Sequence, residues 1–454
     1  MPNHRVRFIT AASLFDGHDA AINIMRRILQ SQGAEVIHLG HNRSVAEVVD
    51  AAIMEDAQGI GLSSYQGGHT EYFKYMVDLL RERGRGDIRI FGGGGGVIVA
   101  DEIAELHDYG VARIFSPDDG RELGLEGMIA HMIEACDRDP AAEIDDANAG
   151  FEAALATGEA VEDRHLARLL SLLEADQGHA GQAALRQRVA ESLEAGGQAR
   201  QDHQNFVPCV GFTGTGGSGK SSLVDEVCRR FLEQLPGRRV AVISVDPSRR
   251  RTGGALLGDR IRMNSLGIHA GKPNQPLFMR SQATRQAHQA TSRALEDSIA
   301  LCRLGGFDLI IVETAGIGQS DSAITEMVDH SIYVMTPEYG AASQLEKIDM
   351  LDFADAVVLN KYEKRGAEDA LREVAKQVQR NRGAFHDDPA TMPVYPCIAS
   401  QFYDLGVNAL FIDLISALHD RFTCSWAKLE ALPPRGEPER NQIIPAKAVR
   451  YLAE

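Results

Sequence analysis

The stretch Gly214-Thr215-Gly216-Gly217-Ser218-Gly219-Lys220-Ser221 constrains this chain more than any other. It satisfies a pattern of Gly, four free positions, then Gly-Lys-Ser. Its setting is the one that the pattern requires: apolar Val207 to Phe212 predicts a strand, and Ser222 to Leu232 predicts an amphipathic helix. A strand, glycine loop and helix in that order turn backbone N–H groups around a phosphate chain, with the positive end of the helix dipole behind them. Gly217, Ser218, Gly219, Lys220, Ser221 and Ser222 form the expected cradle, with Lys220 reaching the outer phosphates and the Ser221 hydroxyl on Mg²⁺. The chain is expected to bind a nucleoside triphosphate.

The strands predicted after this loop end in residues of matching chemistry. Arg239 to Val245 leads into Asp246-Pro247-Ser248, where a carboxylate beside the phosphates can hold Mg²⁺ directly or through water. Arg249-Arg250-Arg251 follows, open between a solvated face and a grip on phosphate or a partner. Gly258-Asp259-Arg260-Ile261-Arg262 sets Asp259 and Arg262 three residues apart, a spacing suited to sensing Mg²⁺ and phosphate. Phe307 to Val312 is an apolar run ending in Glu313-Thr314-Ala315-Gly316, where P-loop proteins place the acid and the glycine that respond to the γ-phosphate. Ile332 to Thr336 and Ala356 to Leu359 continue a parallel sheet, and the last ends in Asn360-Lys361-Tyr362-Glu363. Guanine is read by Asn-Lys-x-Asp, in which the carboxylate accepts from the base N–H groups. Glu363 offers the same acceptors on a longer arm, which favours GTP over ATP. Ala399-Ser400 is placed for an end-loop contact to the base. Lys220, Asp259 and Glu313 are the candidate catalytic residues, and no side chain announces itself as the group that positions water.

The N-terminal stretch alternates in the same way. Strands are predicted at Val6 to Ala12, Ala34 to Leu39, Gly59 to Ser63, Ile88 to Phe91 and Val111 to Phe115. Helices are predicted at Ala20 to Gln32, Val45 to Glu55 and Tyr72 to Arg83. Alternation of this length implies a parallel sheet covered on both faces, with ligands beyond the carboxyl ends of the strands. Those ends carry Asp16-Gly17-His18-Asp19, then Ser63 to Gly68, then the glycines Gly92 to Gly96. A His with an Asp two positions earlier can ligate a metal through one nitrogen while the carboxylate fixes the tautomer at the other. Five glycines in a row are expected to clear side chains so that a large flat or extended ligand can approach the backbone. His38, His41, His69 and His107 have no comparable partner and are expected in solvent.

From Pro117 to about Gln204, Ala, Glu, Gln and Leu dominate at helical periodicity. This is expected to be a connector that needs no core of its own. At 454 residues and a formal net charge of -17, general affinity for nucleic acid or anionic membranes is not expected. No apolar run reaches the roughly 18 residues of a membrane span, and Met1 to Arg7 does not resemble a signal peptide. The six cysteines are scattered without a Cys-x-x-Cys pair, so reduced thiols in a cytoplasmic protein are expected.

Asp16-x-His18, Ser63 and Gly92 to Gly96, in that order on a flavodoxin-like pattern, resemble the cobalamin-binding domain of acyl-CoA mutases. The resemblance implies that His18 is the lower axial ligand of cobalt with Asp16 hydrogen-bonded behind it. Gly17, Ser63, Gly92, Gly93 and Gly94 would line the slot for the displaced nucleotide tail. The family has glycine where this chain has Ala21. Asp246-Pro247-Ser248, Gly253-Gly254, Gly258-Asp259-Arg260, Glu313-Thr314-Ala315-Gly316 and Asn360-Lys361 resemble the G-protein chaperones of these mutases. That implies Ser221, Asp246, Asp259, Glu313 and Thr314 around Mg²⁺, Lys220 and Arg262 on phosphate, and Asn360, Lys361, Tyr362 and Glu363 on the base.

Both halves on one chain resemble the fused isobutyryl-CoA mutases, whose G domain gates cofactor loading and protects a mutase that interconverts isobutyryl-CoA and n-butyryl-CoA. The resemblance implies adenosylcobalamin, GTP and Mg²⁺, a homodimer in the full protein, and an adenosyltransferase as cofactor donor. It implies a flavodoxin-like domain at 1–145, a helical linker at 146–204, a P-loop GTPase domain at 205–424, and the start of a second linker at 425–454 with Leu432-Pro433-Pro434-Arg435-Gly436. The substrate-binding (β/α)₈ barrel of about 250 residues has no room before Tyr451-Leu452-Ala453-Glu454. It is expected as a missing C-terminal part or a separate subunit. A cobalamin carrier or sensor with a nucleotide switch, and an ATP-driven metallochaperone, remain open on the residues alone.

Overall fold

In a computed structural model, the alternation of strands and helices resolves into two sheets in which every paired strand is parallel. The structure describes residues 2–139, 144–175, 181–199, 206–247, 254–272, 274–284, 293–314, 324–340, 345–429, 434, 436 and 438. Ser248, Arg249, Arg250, Arg251, Thr252, Gly253, Ala315 and Gly316 lie outside the described residues, as do Leu432, Pro433, Arg435 and Tyr451 to Glu454 of the expected linker.

The first half builds β1 (Arg7–Ser13), α1 (Ala20–Ser31), β2 (Glu35–Arg43), α2 (Val45–Met54), β3 (Gly59–Ser63), α3 (His69–Glu82), β4 (Arg89–Gly93), α4 (Ala100–Tyr109), β5 (Arg113–Phe115) and α5 (Pro117–Cys136). β1 and β3 are buried along their whole length because helices cover both faces, which is why their sequences run apolar without alternation. Ser44 caps α2 reciprocally with Glu47, and Ser116 caps α5 with Asp119 behind Pro117, so both helices start where side chains satisfy their first N–H groups. The strands lie in the order β5-β4-β3-β1-β2, and a sixth strand from the second half of the chain joins beyond β2. The order reverses between β1 and β3, which opens a crevice at the carboxyl ends of those two strands.

The second half follows α6 (Ile144–Thr157), α7 (Asp163–Glu174) and α8 (Gln182–Ala199) with β6 (Cys209–Gly214), α9 (Lys220–Gln234), β7 (Val240–Pro247), β8 (Ala255–Leu257), β9 (Leu277–Thr284), β10 (Leu309–Glu313), β11 (His330–Met335), β12 (Ala356–Asn360) and β13 (Val394–Cys397). Seven of these strands form the second sheet, β13-β12-β11-β6-β10-β7-β9, while β8 is the strand added to the first. On one face, Leu223, Val227 and Phe231 of α9 pack with Leu410 and Phe411 of the helix Leu405–Arg421. On the other face, Leu166, Leu169, Leu170 and Leu173 of α7 pack against Ile243, Phe278 and Ile299.

That second face adds to the expected connector: α7 builds no core of its own but packs into the core of the nucleotide-binding sheet. The leucines of α7 form one stripe, and that stripe is a buried layer on the nucleotide-binding sheet. Each such buried leucine contributes about 1.5–3 kcal/mol. All six cysteines are buried free thiols. Among the described residues, no helix is long and apolar enough to cross a membrane.

Candidate functional site

The phosphate loop leaves β6 at Gly214, whose φ of 144° carries it past the β11 backbone. A Cβ there would sit 2.0 Å from the Val334 carbonyl oxygen, so only glycine fits. Gly217 and Gly219 also have positive φ, and a Cβ on Gly219 would lie 2.4 Å from Asn360 Nδ2. Lys220 Nζ donates to the carbonyls of Gly214 and Thr215 at 3.1 and 3.2 Å, across the mouth of the loop. The hydroxyls of Thr215 and Ser218 are buried without a hydrogen-bond partner, as a loop shaped for phosphate oxygens requires. Ser222 follows on the first turn of α9 and is half-buried.

Ser221 gathers the acidic residues. Its Oγ lies 3.1 Å from Asp259 Oδ1 and 2.8 Å from Glu313 Oε1. Asp259 also accepts from Ser244 Oγ at 2.7 Å, and Arg262 Nη1 pairs with it at 2.9 Å. Asp246 accepts the Gly258 amide at 3.1 Å and shares a hydrogen bond with Asp259. Burial and the Asp259 charge push both Asp246 and Glu313 up to about 8. Glu313 Oε2 is buried with no partner. A buried set of carboxylates with an orphaned oxygen fits a divalent cation.

Among the described residues, no three His, Cys, Asp or Glu side chains could hold a metal ion by themselves. The Ser221 hydroxyl and phosphate oxygens would have to complete the shell, the usual arrangement for Mg²⁺. Thr314, expected beside the ion, turns its hydroxyl 2.9 Å from Thr213 Oγ1 instead. Arg262, expected on phosphate, is spent on Asp259, with its side chain 60% exposed.

At the base end, Asn360 Nδ2 donates to the Ser218 carbonyl at 2.7 Å and its Oδ1 accepts the Ala399 amide at 3.0 Å. One side chain thereby ties three loops together. Lys361 has φ 58° and donates through Nζ to the Gly217 carbonyl at 2.7 Å, lying along the phosphate loop. The Tyr362 amide bonds the Cys397 carbonyl, and Glu363 is exposed beyond it.

In the other crevice, Asp16 is 2% exposed. Its Oδ1 accepts the His18 amide at 2.9 Å and His18 Nδ1 at 2.8 Å, while Oδ2 accepts the Tyr65 amide at 2.7 Å. Burial alone would raise this carboxyl, but the hydrogen bonds from His18 and Tyr65 outweigh it and hold Asp16 below the usual carboxylate range. The His18 side chain is 75% exposed, and its Nε2 has no partner among the described residues. A ring held at Nδ1 and free at Nε2 is in the tautomer that a metal ion accepts. Gly17, between the two residues, is exposed, and a Cβ there would touch nothing.

Beside this loop lies a cavity of about 260 Å³, lined by Ala21, Ser63, Gly92 to Gly95 and apolar side chains including Phe91, Phe115 and Met132. Ser63 Oγ is buried without a partner. An apolar slot with one unsatisfied hydroxyl fits a flat heterocyclic tail. The glycine run has a further cause that sequence reasoning missed. A Cβ on Gly92 would meet Phe73 at 2.4 Å and one on Gly94 the Ser64 carbonyl at 2.3 Å, so internal packing demands these two.

Phe15 and Tyr65 also went unseen in the sequence. Phe15 is 84% exposed at φ 63°, with its amide held by Asn42 Oδ1 at 2.9 Å, and the Tyr65 ring lies 5.3 Å from that of His18. Not every other histidine is solvated. His69 is buried between the Gln66 carbonyl and Glu102, and His38 lies 3.0 Å from the Thr10 hydroxyl.

Residues 166–418 match the family model described as methylmalonyl-CoA mutase-associated GTPase MeaB, and residues 6–120 match the B12-binding domain. Curated relatives described as fused isobutyryl-CoA mutase are 53% identical in Geobacillus kaustophilus, 56% in Cupriavidus metallidurans and 54% in Nocardia farcinica. Each alignment covers 100% of this chain but 40%, 39% and 40% of the respective relative. The chain thus spans about two fifths of the length of the curated relatives it matches.

Proposed function

The chain belongs to the MeaB family of mutase-associated GTPases and carries a B12-binding domain on the same polypeptide, and from that premise we propose that it is the cofactor-loading portion of an isobutyryl-CoA mutase. In this reading it binds adenosylcobalamin at His18 and hydrolyses GTP at the phosphate loop. The full protein interconverts isobutyryl-CoA and n-butyryl-CoA with a substrate barrel supplied by a further part of the same protein or by a separate subunit. It works in the cytoplasm as a homodimer and receives its cofactor from an adenosyltransferase. The identity to fused isobutyryl-CoA mutases across the whole chain supports this choice of mutase.

The observation that carries the GTPase reading is Ser221 bonded to both Asp259 and Glu313, with Glu313 Oε2 buried and unpartnered behind the phosphate loop. Ser221, Asp246, Asp259 and Glu313 would hold Mg²⁺, which neutralises charge on the transferred phosphoryl group. Lys220 supports the same charge from the mouth of the loop. On the other side, Asp16 orients His18, and Ser63 with the glycine-lined slot receives the nucleotide tail. Adenosylcobalamin, when bound, would supply radical chemistry, and Asp16, His18, Ser63 and the glycine-lined slot would bind and orient it. A single-turnover assay with GTP tests the hydrolytic half. Release of phosphate that needs Mg²⁺ and stops with EDTA is expected; phosphate release indifferent to EDTA, or none at all, would refute it.

A further inference from the structure

Strand β8 belongs to the nucleotide-binding half by sequence and to the other sheet by pairing. Ala255, Leu256 and Leu257 align in parallel with Glu35, Val36 and Ile37 of β2, closing the edge that β2 would otherwise present to solvent. The approach is close. The Ala255 amide donates to the Ala34 carbonyl at 3.3 Å, and a Cβ on Gly254 would lie 2.2 Å from the Gln30 carbonyl oxygen.

Two residues beyond β8, consecutive side chains serve different halves. Asp259 accepts from Ser221 in the phosphate site. Arg260 is buried and donates to Glu55 at the end of α2, 3.2 Å away. Glu55, 0% exposed, is held further by the amide and hydroxyl of Ser281, each at 2.9 Å. Ile261 then packs over Gly40 of β2, where a Cβ would come within 2.9 Å of its Cδ1. Farther along β2, Asn42 holds the Phe15 amide, one residue before Asp16.

We infer that residues 254–262 couple the two sites: a nucleotide with Mg²⁺ that fixes Asp259 firms the pairing of β8 with β2, and β2 carries the effect through Asn42 to the Asp16–His18 loop. The segment is anchored on both sides by buried groups, so a shift of Asp259 cannot be absorbed locally and must move Arg260 and β8 with it. Coupling of this kind is reciprocal, and cobalamin at His18 changes nucleotide affinity by the same factor. The inference rests on the GTP reading of the phosphate loop.

Hydrogen exchange on the full chain tests it, with and without a non-hydrolysable GTP analogue and Mg²⁺, binding being followed separately by calorimetry. Amides of 35–37 and 255–257 should slow by at least about threefold in the presence of the analogue, as added protection of a paired edge requires. In Ile261→Ala, the slowing at 35–37 should disappear while calorimetric binding persists. Binding without slowing overturns the coupling and leaves the GTP reading intact. Undiminished slowing in Ile261→Ala overturns the assignment to this segment. No binding overturns the GTP reading and the coupling with it.

Discussion

Asp16 holds His18 at Nδ1 from a distance of 2.8 Å, a buried carboxylate gripping a ring that is otherwise three-quarters in solvent. The pair is asymmetric: Asp16 is fixed by the Tyr65 amide as well, whereas His18 depends on Asp16 for its orientation. Asp16→Ala should therefore weaken cobalamin binding by about 10–100-fold, the usual cost of losing the residue behind a metal-bound histidine. A spectroscopic titration checks this, and unchanged affinity would show that Asp16 does not position the ligand.

The acidic site makes a pH prediction. The unfolded chain gives up the Asp246 and Glu313 protons near pH 4, whereas the folded chain holds them to about 8. The folded state binds more protons across that window, so this contribution to stability falls as pH rises from about 4 to about 8. Carboxylates such as Glu35, which burial opposes but Arg7 holds down to about 2, act in the other direction and are spent before that window. His38, which burial holds down to about 4, works against this up to about pH 6.5, so the melting temperature of the ligand-free chain should decline between about pH 6.5 and 8. GTP with Mg²⁺ should flatten the decline, EDTA should restore it, and Asp246→Asn should reduce it. A flat or rising curve without ligand would contradict the assignment.

Base selection should rest on Glu363. Glu363→Ala should reduce the preference for GTP over ATP by at least tenfold, about 1.4 kcal/mol, while Glu363→Asp retains it. Competition binding of the two nucleotides measures the ratio; the same ratio in Glu363→Ala would refute base reading by this carboxylate.

Stability at the junction should depend on Glu174. Arg7 Nη2 and Arg280 Nε both end on it, at 2.9 and 2.7 Å, and all three side chains are buried. Glu174→Ala leaves Arg7 paired with Glu35 but takes from the buried Arg280 the carboxylate on its Nε, and should cost about 3–5 kcal/mol in denaturant unfolding. A loss below about 1 kcal/mol, the level of a surface ion pair, would contradict this.

Much of this architecture was legible because its signals are local. The phosphate loop announces itself in eight consecutive residues, and apolar runs flanked by helices mark β1, β3, β6 and β10. What escaped is non-local. β8 is three residues long and pairs with a strand more than 200 positions away, which no periodicity within Ala255–Leu257 can reveal. The covering role of α7 was hidden because the leucine stripe Leu166, Leu169, Leu170 and Leu173 marks an amphipathic helix without saying which sheet it covers. The glycine run was traced to a ligand, yet at Gly92 and Gly94 the neighbours Phe73 and Ser64 decide it. Asn360 suggested a base contact, and its ties to Ser218 and Ala399 emerge only once three loops converge.

The most direct measurement is a titration of adenosylcobalamin into the chain, followed by visible absorbance, with and without GTP and Mg²⁺, for the native sequence and His18→Ala. A shift to the histidine-ligated spectrum that responds to nucleotide, and that His18→Ala abolishes, is predicted. An identical spectrum in His18→Ala, or no cobalamin binding by the native chain, would contradict a coupled cobalamin and GTP machine.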